Sequence, residues 1–172
     1  MQQPAGLDLI QEISRYFSGP VGDPLEAVER AHDGLFTLCD LLEQVADSIP
    51  SHISRKTCAG LGESLLPLLR DIHQFEEDVL YPLAIKRLGA TRQIRSTITR
   101  LQYEHCEDLC FAEELSDVLR DLGIGKAPGN PEATGYMLRG FFEALRRHIA
   151  FERDHLLGVM RDAGDNGATA SR

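Results

Sequence analysis

The chain has 172 residues and a mass of 19.1 kDa, with 42% hydrophobic residues, 26% charged residues and a net charge of −9. That length suits one domain with a continuous core, so residues 1–172 read as a single domain. The negative charge argues against nucleic acid or an anionic membrane as a partner. No run reaches the ~18 apolar residues a bilayer span needs. The opening "MQQPAGLDLI" has neither a basic start nor a long apolar run, so a cytoplasmic protein is expected.

Taken in chain order, Leu7, Ile10, Ile13 and Phe17 predict a short amphipathic N-terminal helix over 7–18, broken by "SGPVGDP". Asp23, Pro24 and Glu26 are a helix-start signature: an acceptor at the cap, proline at the first helical position, and a glutamate reaching back. They open a first long helix of about 24 to 47. A second runs from between 52 and 58 to Leu88, with a kink expected at Pro67, Pro82 or both. Thr91 caps a third, about 92 to 122, closed by "GIGKAPGN". Asn130 and Pro131 start a fourth, about 131 to 162, that ends near Gly164 and leaves 163–172 as a flexible tail. Long helices with short connections favour antiparallel neighbours, so the fold class is all-α: an up-down-up-down four-helix bundle over 24–162.

Every long helix carries a histidine: His32, His73, His105 and His148. In "HQFEE" His73 and Glu77 are four residues apart, and in "HIAFE" so are His148 and Glu152, which puts imidazole and carboxylate on one helix face twice over. Counting residues from the connecting turns brings these six side chains to similar heights in the bundle. Burying so many ionisable groups without a partner is costly, and mutual pairing offsets it poorly. A pair of divalent metals would offset it, with imidazoles as terminal ligands and carboxylates as bridges. Mixed nitrogen and oxygen ligation with open positions suits non-haem iron better than a closed structural zinc shell.

The pattern of a histidine, then His-x3-Glu, then a histidine, then His-x3-Glu resembles the hemerythrin-like, or HHE cation-binding, domains over about residues 24 to 161. "EEDVLYP" and "YEH" extend the similarity. The resemblance implies two iron ions joined by an oxo or hydroxo bridge, with His32, His73, His105 and His148 as terminal ligands and Glu77 and Glu152 bridging. It departs from the oxygen carriers of the family where they have a second histidine on the third helix, since Leu109 stands there, and in ending on Glu152 where the carriers use Asp one residue later. With one imidazole fewer, two coordination positions stay open rather than one.

The function expected is therefore a non-haem di-iron protein that binds, senses or detoxifies dioxygen, nitric oxide or peroxide, a role that fits a stress response. Alternatives are a peroxidase-like enzyme or an iron donor for iron-sulfur repair, and a regulatory module with a structural metal; a homodimer or a protein partner stays open. Three residues beside the ligand set are candidates for an extra ligand or a supporting contact. His155 lies three residues after Glu152, Glu76 precedes Glu77 and is expected to face outward with Asp78, and Tyr81 follows Glu77 by one turn. The four cysteines form no CxxC pair, and packing explains Cys106 and Cys110 better than zinc ligation does.

Overall fold

The computed structural model describes residues 22–169, so the helix expected over 7–18 lies outside the described residues. Four helical rods fill that range, and no strand occurs among the described residues. We label them α1 (Pro24–Ser48), α2 (55–88), α3 (Arg92–Gly123) and α4 (131–169). Connections of a few residues fold each rod back on the last, giving the expected bundle. None of these helices is long and apolar enough to cross a membrane.

The helix starts follow from local chemistry. Asp23 accepts a hydrogen bond from the Leu25 amide at 3.0 Å, with Pro24 in the first turn, where its missing N–H is no loss. Thr91 and Asn130 cap α3 and α4 through the amides of Ile94 and Ala133 at 3.2 and 3.0 Å. Gly89 ends α2 at φ 78°, a conformation that favours glycine. The tail differs from expectation: the fourth helix passes Gly164 and continues to Thr169.

Neither proline breaks α2. Pro67 sits inside the uninterrupted segment Arg55–Phe75. At Pro82 the disturbance is a π-helical segment, Glu76–Leu80, that closes as the Tyr81 amide donates to the Glu76 carbonyl. Pro82 has no amide to donate to the carbonyl four residues back, so the widened turn falls where the α ladder would fail anyway. A second π segment, Arg153–Leu157, interrupts α4 in the matching place and closes at Gly158. A Cβ on Gly158 would lie 3.3 Å from the Arg153 carbonyl oxygen, so that turn is tight.

Close packing of α2 on α3 sets the spacing of what lies between them. A Cβ on Gly62 would sit 2.8 Å from the Arg120 backbone nitrogen, and one on Gly123 2.8 Å from the Ala59 backbone. The apolar interior falls into two clusters. One is built around Leu38, Leu65, Leu69, Leu115 and Phe141, the other around Val28, Leu80, Tyr81, Leu101 and Leu156. Between them, at one level, lie the buried polar side chains of His32, His73, Glu76, His105, His148 and Glu152.

Candidate metal centre

Each rod supplies this layer from positions that continue its apolar stripe. His32 lies between Val28 and Leu35, His105 between Leu101 and Ala112, and His148 and Glu152 between Leu145 and Leu156. The imidazoles of His73 and His105 stack in parallel with centroids 3.9 Å apart, and His148 lies 5.1 Å from His105.

Two groups of donor atoms result. One atom each from His73, Glu76, His105 and His148 lie within 4.8 Å of one another, and so do atoms from His32, Glu76 and Glu152. Glu76 belongs to both. Its carboxylate is 3.1 Å from His32 Nε2 on one side and 3.2 Å from His105 Nε2 on the other. Glu152 reaches His32 Nε2 at 3.1 Å.

The carboxylate brought into the centre from α2 is thus Glu76, not Glu77, and the expectation that Glu76 faces outward is corrected. From His73 the two glutamates diverge to either side of one face, about 60° back and 40° forward, so spacing alone does not choose between them. The apolar stripe does choose: Leu65, Leu69, Ile72, Glu76 and Leu80 are all buried. A second signal was available in the sequence. Aligning "FEEDVL" with "FERDHL" pairs Glu76 with Glu152 directly.

Glu77 has a different place. Its side chain is 38% exposed, and Oε1 accepts from His105 Nδ1 at 2.8 Å, a contact that fixes the ring and leaves Nε2 toward the centre. Tyr81 is buried, with its hydroxyl 3.1 Å from His105 Nε2. His155 is exposed and packs its ring against Phe151 at 4.3 Å, outside both groups. His52 is exposed in its turn. Cys39 and Cys58 are buried, whereas Cys106 and Cys110 are exposed rather than packed. Two further carboxylates escaped the sequence reading: Glu104 Oε2 and Asp108 Oδ2 lie 3.1 and 3.6 Å from His148 Nδ1. Their spacing around His105, one residue before and three after, carries no pattern of its own.

The electrostatics describe a site unfinished by protein groups alone. Burial would lower His32, but the carboxylates of Glu152 and Glu76 beside its Nε2 prevail and lift it to about 9. Burial and the neighbouring His105 push His73 down to about 3, and burial does most to bring His148 to about 4. Glu76 is held well below the usual carboxylate range, because the imidazoles of His105 and His32 beside it outweigh burial. Burial and the charge of Glu76 raise Glu152. Burial lifts Asp108 to about 7.

Several of these atoms have no hydrogen-bond partner: His73 Nδ1, Glu76 Oε2, both ring nitrogens of His148 and both carboxylate oxygens of Glu152. Some lie near opposite charge, as Glu152 does to His32, without the alignment a hydrogen bond requires. Leaving a buried polar atom unmade costs about 1–3 kcal/mol, so this many in one layer is far above what ordinary cores tolerate. A cation in each donor group would take one nitrogen of each imidazole and the oxygens of Glu76 and Glu152, and imidazole with carboxylate is a donor set that divalent transition metals accept. The residues present fit a metal.

No match was found among curated proteins or among solved structures. A family model, the hemerythrin HHE cation-binding domain, matches residues 23–160, which include both donor groups, the first three rods and most of α4. The chain belongs to the hemerythrin HHE cation-binding family.

Proposed function

We propose that the chain is a cytoplasmic non-haem di-iron protein that binds, senses or detoxifies dioxygen, nitric oxide or peroxide. The observation that carries this reading is the pair of adjoining donor groups sharing Glu76, built from buried atoms that lack partners. His73, His105 and His148 would hold one ion, His32 and Glu152 the other, and Glu76 would join them. When bound, a pair of ferrous ions supplies two electrons to a small oxidant.

The chain's own residues set the conditions for that chemistry. The flanking apolar clusters exclude water, which strengthens every charge interaction inside. Glu77 holds His105 in one orientation. The Tyr81 hydroxyl, buried beside His105, can donate a hydrogen bond inside the layer; burial together with Glu152 and Glu76 raises its pKa and keeps it neutral. The second donor group carries only one imidazole, which leaves more room for a small ligand on the His32 side.

The test is anaerobic reconstitution of the purified chain with ferrous iron, followed by air. A near-ultraviolet charge-transfer band that changes with azide or peroxide is expected. A loaded chain that stays spectrally silent through oxygen, nitric oxide and peroxide would sink the reading.

Proton release gives a separate check. His32 is protonated near neutral pH in the metal-free chain, since its pKa is lifted to about 9, and a metal needs the same lone pair. Metal affinity is therefore expected to rise with pH toward about 9 and to flatten above it. A pH-indicator dye in weak buffer measures the protons released, and uptake that releases none would exclude His32 as a ligand.

A further inference from the structure

A cavity of about 390 Å3 opens between α3 and α4. Its lining includes Arg100, Glu104, Glu107, Asp108, Arg147 and His148. It reaches from solvent to a ligand of the centre, because His148 belongs to the three-imidazole group and, at 5% exposure, is less covered than the other five residues of the layer.

The floor of the cavity is built from groups that lack partners. Asp108 has a side chain only 8% exposed, and its Oδ2 makes no hydrogen bond. Glu104 gives Oε1 to the Arg100 guanidinium at 2.7 Å, while its Oε2 is buried and unbonded. Both oxygens face His148 Nδ1, which is unbonded as well. Arg100 is engaged twice, by Glu104 and by the face of Phe151 at 3.7 Å, so it does not neutralise Asp108. A buried carboxylate without a partner is a group that a passing cation satisfies and a folded core otherwise avoids.

We propose that this cavity is the port through which a divalent cation reaches the centre, with Glu104 and Asp108 receiving it and His148 passing it inward. The inference rests on the metal-centre reading above and adds the route. It explains why two acidic side chains stand just outside a ligand set that does not include them. Acidic groups at the mouth of a narrow path raise the local cation concentration and speed capture, an effect that added salt weakens. Ligand exchange then moves the ion from two outer oxygens to an imidazole, with no change of oxidation state.

The experiment uses the full chain, stripped with chelator and mixed rapidly with Co2+, read by the visible absorption of the bound ion. In the double variant Glu104→Gln/Asp108→Asn, loading is expected to slow about tenfold or more, with the final cobalt per chain unchanged. Glu63→Gln/Asp71→Asn removes the same charge from exposed positions on α2 and should load at the parental rate. Ala144→Phe, which narrows the cavity while keeping both carboxylates, should also slow loading and covers the case in which the double variant folds poorly. Unchanged rates in both cavity variants would overturn the port. So would unchanged rates with weaker affinity at equilibrium, since Glu104 and Asp108 would then only hold His148 in place. Equal slowing in the α2 variant would assign the effect to overall charge and overturn it too. A parent chain that takes up no cobalt would overturn both the port and the metal centre.

Discussion

Glu76→Ala is expected to reduce the loaded chain from two irons to at most one, whereas Glu77→Ala keeps both ions and loses about 10–100-fold in affinity. The two residues are neighbours in sequence, yet they differ in what they touch. Glu76 is 1% exposed and lies between His32 and His105, the only residue common to both donor groups. Removing it takes a donor from each group. Glu77 touches the far nitrogen of His105, so its loss frees one ring to turn without taking away a donor. Iron per chain after anaerobic reconstitution, with a titration for affinity, separates the cases. If Glu77→Ala loses an ion while Glu76→Ala keeps two, the assignment of roles is reversed.

The second large effect has opposite signs with and without metal. In the metal-free chain Glu152→Leu is expected to raise the melting temperature by about 4–8 °C, from about 2 kcal/mol regained when an unbonded buried carboxylate is replaced by an apolar side chain of similar volume. Both Glu152 oxygens lack hydrogen-bond partners, and the residue is 0% exposed, directly beside the apolar cluster that holds Leu156. With iron or cobalt present the order should invert, because the parent gains binding free energy in its folded state and the variant has lost a donor. Paired thermal melts with chelator and with metal give the answer. A variant that melts below the parent in chelator would mean that Glu152 is already well paired with His32.

Much of this molecule can be read without coordinates, and the reasons are local. Asp23, Thr91 and Asn130 announce helix starts because capping is a short-range hydrogen bond between a side chain and an amide two or three residues on. Four histidines at matching heights announce the centre because helical rise is constant. Glu76 was less legible because residues three and four positions on from a ligand share a helix face, and packing against the neighbouring rods decides which turns inward. The π segments were illegible for a related reason: Pro82 and Gly158 signal a weak point in the ladder but not how the backbone resolves it. Asp108 lies beyond sequence patterns, and Glu104 stands in "YEH" with no role legible there, since the partner of both, His148, is on another rod. The helix past Gly164 shows that one glycine is a weak stop when the residues around it can continue the ladder.

The polar layer divides the interior unequally: among the described residues twenty-two buried apolar side chains lie in one cluster and eleven in the other. The smaller cluster sits at the end where both π segments interrupt the rods, and the larger is crossed by unbroken α-helix. Cooperative units in proteins follow contiguous packing, so the two clusters are expected to act as foldons of different strength that meet at the ligands. Without a cation the seam between them holds like charges and unmet bonds, and the weaker end can open while the stronger stays shut. Cations in the two donor groups, joined through Glu76, would together tie side chains from all four rods, so occupancy of the centre is expected to make the two ends unfold as one.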